Sequence, residues 1–429
     1  MKPVEIGRLV ETERVHRSVY SDPALFSLEM NRVFGRAWIL VGHESQARQA
    51  GDFFTATVGL RPIFVVRGDD GALRAFHNRC PHRGARLCPG DAGHARRLVC
   101  PYHAWTFTTQ GALVSQPMKE QYGDSFVAAD HGLAPVARLA VYRGFVFVSL
   151  TTRGPGLEEF LGHMTTSIDD LVDRSPDGEI EVLDTVIRHR YRGNWKMMFE
   201  NLNDTVHAGF AHGLSTQAAR REAERSGPDQ VSSWIGMMLA NGKPLSAFND
   251  LEMATERYGH SYFGGHIGAG YTGTTADAYF AGLARRHGEA GARRVLGQSR
   301  HVTQIYPSGS FQGRYQTVRL VVPLAVDLTE VVGYVFRLKG APPEVERNAM
   351  EYCIGATSAA SPVIADDLEI YEGQQRQFQS DGTDWVSLHR ASGMRLADSE
   401  AQARYPGASE EFIRNQFRAW AGYMTVEDA

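Results

Sequence analysis

Cys80, His82, Cys100 and His103 gather two thiols and two imidazoles into one short segment, NRCPHRGARLCPGDAGHARRLVCPYHAWTF. Two chemistries use such a set. A tetrahedral zinc ion accepts two Cys and two His, usually from one Cys pair and one His pair. A mixed-ligand [2Fe–2S] centre instead takes two Cys sulfurs on one iron and two His nitrogens on the other. Here each knuckle carries one Cys and one His, which argues for the cluster. Replacing thiolate by neutral imidazole raises its potential, so the chain is expected to accept and pass on single electrons.

A second group follows in GNWKMMFENLNDTVHAGFAH, which holds Asn201, Asp204, His207 and His212. Two neutral imidazoles with one carboxylate form the facial triad of non-heme Fe(II) oxygenases, which keeps coordination positions open. On a helix, Asp204 and His207 project from neighbouring faces. His207 and His212 stand about 140° apart on an ideal helix. They converge on one metal only if the helix breaks or bulges between them, and Gly209 is the expected place. A zinc hydrolase would need His-Glu-x-x-His, and the residue before His207 is Val206.

These segments resemble the large, catalytic subunits of Rieske non-heme iron aromatic ring-hydroxylating oxygenases. The resemblance lies in Pro-His-Arg-Gly after Cys80 and Pro-Tyr-His-Ala-Trp after Cys100. It extends to Glu200-Asn201-x-x-Asp204-x-x-His207-x-x-x-x-His212 and to SPVIADDLEIYEGQQ at 361–375. It implies Asp367 as third iron ligand, with Asp366 as the alternative, since pattern alone does not separate adjacent acids. It implies that Asp204 links His103 of one subunit to His207 of the next across a trimer, giving the electron a bonded route. It also implies an α+β fold: an N-terminal all-β Rieske domain, then a catalytic domain whose antiparallel sheet is covered by helices in a helix-grip (START-like) arrangement.

The implied activity is that of a terminal oxygenase. NADH electrons arrive indirectly through a reductase, with or without a ferredoxin, and O₂ is added to an aromatic ring by cis-dihydroxylation. Monooxygenation and O-demethylation are the alternatives within the family. The text around Thr317–Val322 and Ser361–Gln375 is most similar to the benzoate, salicylate and terephthalate branch. A carboxylate substrate needs a cation in an otherwise apolar pocket, for which Arg319 and Arg390 are the candidates, and Asn201 is a further candidate for substrate binding. The expected assembly is a homotrimer of such subunits, or α₃β₃ with a small subunit.

At 429 residues the chain has room for two or three domains. A net charge of −4 makes nucleic acid and anionic membranes unexpected partners. No apolar run is long enough to span a bilayer, and the charged start has no signal-peptide core. Four cysteines do not make a disulfide framework in a chain of this length. Cys88 and Cys353 are expected as free thiols, and the compartment as a reducing cytoplasm.

The elements that must position these groups are legible in outline. Ser21-Asp22-Pro23 starts a helix over about 23–36. Short strands follow at 55–59, 63–66 and 73–76, with 141–150 as the last strand of the small β domain. Segments 179–192 and 301–337 alternate as strands, 193–225 and 343–378 read as helices, and 410–424 is an amphipathic helix. The expected divisions are a helical segment at 1–39, the cluster domain at 40–155 and the catalytic domain at 156–429. The Gly-rich stretch 259–273 lacks the flanking strand and helix of a dinucleotide site. It is expected as a loop beside the substrate channel, with His260 and His266 as polar loop residues. A carrier using only the cluster would need about a hundred residues and no second histidine pair.

Overall fold

The computed structural model describes all residues except 1, 227–231, 265–272, 299, 397–402 and 427–429. The chain divides into two compact units: Phe34–Leu157, and Met1–Val33 together with Glu158–Ala429.

The smaller unit is built from short antiparallel strands. Asp52–Val58, Arg61–Arg67 and Leu73–His77 form a meander, and Ala92–His94 adds to its edge. Leu98–Val99, Thr106–Phe107 and Leu113–Ser115 form a second small sheet. Ile63, Phe64, Val65 and Val66 form an unbroken apolar run buried on both faces, and Phe64 and Val66 enter a core shared with Phe76, Leu87, Trp105 and Phe107. The expected single strand at 141–150 is instead a hairpin, Arg138–Tyr142 with Phe145–Ser149. Arg143 and Gly144 turn it, both at positive φ (48° and 88°), the backbone that matches the twist of tight hairpins.

The larger unit is organised by one eight-stranded antiparallel sheet. In chain order its strands are β1 (Ile180–Tyr191), β2 (Glu252–Thr255), β3 (Ser261–Gly264), β4 (Arg300–Ile305), β5 (Gly309–Gln312), β6 (Thr317–Ala325), β7 (Leu328–Leu338) and β8 (Ala403–Pro406). They lie in the order β1-β7-β6-β5-β4-β3-β2-β8. Four helices matter for the site: α1 (Lys196–Leu202), α2 (Thr205–Ala211), α3 (Gly213–Ser226) and α4 (Pro362–Gln377). The expected helix at 343–378 is interrupted: Pro343–Tyr352 runs into a π turn, Cys353–Thr357, before Ser361 caps α4 through the Val363 N–H. The first expected helix, about 23–36, is shorter, at Pro23–Arg32, capped by Asp22.

That helix carries a buried charge into the unit's core. Glu29 and Lys196 are both fully buried and 2.5 Å apart, and Glu29 also accepts from the indoles of Trp195 (2.8 Å) and Trp420 (2.6 Å). Burial pulls the Lys196 amine down, and the Glu29 carboxylate opposes that shift. Removing one partner strands the other charge in a dry interior, which costs about 3–5 kcal/mol. Lys196→Met is therefore expected to lower the unfolding free energy of this unit, read from denaturant titration, by that amount, while a surface control such as Arg293→Met leaves it unchanged.

His260 does lie in the short link before β3, but it is not a surface residue. It is fully buried, with Nε2 2.8 Å from the Phe160 carbonyl and Nδ1 accepting from the Tyr306 N–H at 3.1 Å. Both ring nitrogens are satisfied, and burial lowers its pKa to about 4, so it serves as a neutral core group. His266 and most of the Gly-rich stretch lie outside the described residues. No helix among the described residues is long and apolar enough to cross a membrane.

Candidate active site

The cluster knuckles are two tight turns with matching backbones. Gly84 N–H returns to the Cys80 carbonyl (2.9 Å) and Cys80 N–H to Ala85 (2.8 Å). Likewise Ala104 N–H returns to Cys100 (3.0 Å) and Cys100 N–H to Trp105 (2.8 Å). The residue four after each Cys has positive φ, Gly84 at 76° and Ala104 at 54°. Buried Asn78 braces the first turn, accepting from the N–H groups of Leu87 and Cys88 and donating to the Cys88 carbonyl. All four cysteines are free and buried.

The turns bring the expected ligands together in two pairs. Cys80 and Cys100 are within hydrogen-bond reach. The rings of His82 and His103 lie 4.7 Å apart, and His82 stacks on Trp105. Nδ1 of His82 and Nδ1 of His103 are both buried without a hydrogen-bond partner. Buried polar atoms are almost always satisfied, so two adjacent orphans are the donor set of a missing bond. A pair of sulfurs beside a pair of imidazole nitrogens fits a [2Fe–2S] cluster ligated two and two.

In the larger unit, Asp204 ends one helix and begins the next. Its Oδ1 accepts from the Val206 N–H at 2.9 Å and caps α2. His207 rides on α2, whereas His212 sits just past its end, with φ −97° and ψ 22°. The expected break at Gly209 thus falls three residues later: Gly209 is ordinary helix, and His212 escapes the 140° problem by leaving the helix. Asp367 comes from α4 and is buried. Its Oδ1 is 3.4 Å from His212 Nε2 and 3.7 Å from His207 Nε2. Among the described residues, this trio forms a group able to hold one metal ion, with ligand atoms within 4.8 Å of one another. Asn201 Nδ2 donates to Asp367 Oδ1 at 3.0 Å and lies 3.1 Å from His207 Nε2. Burial raises the Asp367 carboxyl, and both histidines pull it back. Two imidazoles and one carboxylate suit non-heme iron.

Asp366 faces elsewhere. Its Oδ2 is 3.2 Å from His212 Nδ1 and accepts from Ser215 Oγ at 3.1 Å. That is the carboxylate–imidazole contact that sets a ligand's tautomer and orientation, and losing it typically costs ~10–100-fold in metal affinity or activity. Asp366→Asn is expected to weaken iron retention by about that factor, read by dialysis against a chelator, with the cluster absorbance unchanged.

A cavity of about 100 Å³ adjoins the trio, walled in part by the apolar side chains of Met237, Phe248, Phe263 and Ile364. Arg319, on β6, is in its wall and only 5% exposed. Its Nη2 donates to Gln312 Oε1 at 3.2 Å, Nε is buried without a partner, and no carboxylate of the described residues pairs with it. Gln312 is held in turn by donating to the Tyr352 hydroxyl at 3.0 Å. Arg390 is not brought to this cavity. Its Nη2 donates to Asp204 Oδ1 at 2.8 Å.

The segment 37–141 matches the family described as Rieske [2Fe-2S] domain, and 166–424 matches the ring hydroxylating alpha subunit (catalytic domain). The chain belongs to the ring-hydroxylating oxygenase alpha subunits. Toluate 1,2-dioxygenase subunit alpha of Pseudomonas putida is 35% identical over 385 residues, 87% of this chain and 81% of that protein. The anthranilate 1,2-dioxygenase large subunit of Acinetobacter baylyi is 31% identical, covering 88% and 80%. In fold, naphthalene 1,2-dioxygenase with indole bound in the active site superposes with a TM-score of 0.83 at 24% identity, covering 97% of this chain and 94% of that one. As a member of this family the protein is an oxidoreductase with a Rieske cluster and a mononuclear iron, the terminal component that hydroxylates aromatic rings with NADH-derived electrons. Alpha subunits of the family form oligomers and draw electrons from reductase or ferredoxin partners.

Several groups around the site escape a reading of the sequence. Gln312 and Tyr352 fix Arg319 from other elements. Glu200, inside the recognisable motif, is partly buried, accepts from the Tyr20 hydroxyl at 3.1 Å and has its carboxyl pushed up to about 8 by desolvation. Its surroundings therefore favour the protonated form. The motif gave its position, but only the folded surroundings give its charge.

Proposed function

We propose that the enzyme cis-dihydroxylates an aromatic carboxylate, with His207, His212 and Asp367 holding the iron and Arg319 holding the substrate's carboxylate. The observation that carries the substrate class is the unpaired guanidinium in the cavity wall. A buried cation without a counter-ion is costly, and a bound carboxylate offers the charge-assisted bonds it lacks. The apolar walls suit the ring. The toluate and anthranilate enzymes, relatives by sequence, point to the same class.

When bound, the cluster and iron supply one-electron transfer and O₂ activation. The chain's own work is to place the ring, to hold Asp367 and the two imidazoles, and to exclude bulk water. We place Asp204 as the carboxylate linking His103 of a neighbouring subunit to His207, in a homotrimer of such subunits or an α₃β₃ assembly. Two features support the Asp204 link. Asp204 Oδ2 makes no hydrogen bond among the described residues, and His207 Nδ1 is buried with no partner.

The test is substrate-dependent consumption of NADH and O₂ with a generic reductase and ferredoxin, over a panel of aromatic acids and their neutral counterparts. Benzoate-type acids should be oxidised with the higher kcat/KM. Equal or better turnover of neutral arenes would remove the carboxylate reading and leave the family chemistry standing.

A further inference from the structure

Arg390 is held in place before it meets Asp204. Its own N–H donates to Glu410 Oε2 at 2.8 Å and its Nε donates to the Ala408 carbonyl at 2.7 Å. Behind it, Arg414 donates from Nη1 to the Leu388 carbonyl at 2.6 Å and to the Arg390 carbonyl at 3.2 Å. Arg414 is itself buried and paired with Glu411 at 2.7 Å. The backbone at 388–391 is thereby fixed on both sides, and the guanidinium reaches Asp204 as a braced arm.

The arm and the helix cap converge on one oxygen. Val206 N–H and Arg390 Nη2 both donate to Asp204 Oδ1, and Oδ2 is left without a bond among the described residues. A cap alone needs only the Val206 contact. The added guanidinium fixes the carboxylate's rotation and offsets its charge. Glu410 Oε1 lies 3.6 Å from the same Nη2, so without Arg390 two acids would face each other there.

We propose that Arg390 is a positioning residue for electron entry: it clamps Asp204 Oδ1, balances its charge and so presents Oδ2 to the cluster histidine of the neighbouring subunit. This rests on the reading of Asp204 as the link between subunits. An uncompensated carboxylate beside the cluster disfavours its more negative, reduced form. Losing Arg390 therefore lowers the cluster's potential as well as loosening the route.

The experiment uses the holoenzyme with R390Q, R390K and D204N. Two quantities are read: the cluster's midpoint potential by spectroelectrochemistry, and the rate of cluster reoxidation in a single turnover with substrate and O₂. R390Q is expected to lower the potential and slow reoxidation roughly tenfold or more, with substrate affinity unchanged. R390K is expected to restore the potential and only part of the rate, because lysine keeps the charge without the planar fork. Fast R390Q with unshifted potential beside slow D204N overturns this role while sparing the link. Fast D204N overturns the link and this role together. A lowered melting temperature in both Arg390 variants with no shift of potential makes Arg390 scaffold only, and also overturns it.

Discussion

Asp367→Ala is expected to yield a brown protein with an intact cluster and no mononuclear iron. Substrate oxidation should fall by well over a hundredfold, since even the outer partners of a metal ligand are worth ~10–100-fold. The reason is geometric. Asp367 Oδ1 is the atom to which both histidine Nε2 atoms and the Asn201 amide converge. Its replacement leaves two neutral imidazoles, too few ligands to retain Fe(II). Total iron, visible absorbance and the EPR of the reduced cluster separate the two centres. The cluster ligands lie in the other compact unit, so their signals should match wild type. Retention of the third iron in Asp367→Ala, with Asp366→Ala losing it, would exchange the roles of the two acids.

Arg319→Met should turn the enzyme's preference round. In the wild type a carboxylate entering the cavity meets a cation whose one side-chain hydrogen bond among the described residues is to Gln312. Truncating one partner of a buried, hydrogen-bonded charge pair costs about 2–5 kcal/mol, much of it the penalty on the charge left behind. Affinity for aromatic acids is therefore expected to fall by roughly thirtyfold to a few thousandfold. Neutral arenes of the same shape should bind as well or better, since methionine fills the space without a charge to desolvate. The measurement is Kd for an acid and its neutral isostere in both proteins. Unchanged acid binding in Arg319→Met would remove the carboxylate clamp. Arg390→Gln serves as the contrast. Its side chain belongs to Asp204, and acid affinity should not respond to it.

The candidate cysteine and histidine ligands stood out because chemistry restricts such sets to few residue types at tight spacing, whereas Asp367 was offered only by the resemblance in a distant segment. Alternation in 179–192 and 301–337 marked strands there, while the sheet-and-helix architecture came from the family resemblance. What the sequence could not show was decided by contacts between distant segments. Glycine at 209 looked like the weak point of a helix. The helix begins at the Asp204 cap and ends at His212, and a glycine in its interior costs little enough to be carried. The 138–149 hairpin was hidden because Arg143 supplies a positive φ that arginine does not advertise. Two arginines of equal promise were separated only by the fold: β6 turns Arg319 into the cavity, while the braced loop at 388–391 gives Arg390 to Asp204. Likewise nothing local marks Glu29 as the partner of Lys196.

The most direct test is the mass of the product formed from an aromatic acid under isotopically labelled O₂, in the system reconstituted with reductase and ferredoxin. The account predicts a cis-diol that has gained two hydrogens and two oxygen atoms, both labelled. A product carrying one labelled oxygen, or one that has lost a methyl group, would contradict the dioxygenase assignment. Reduction of the cluster with no oxidised product from any aromatic acid or arene would contradict the account as a whole.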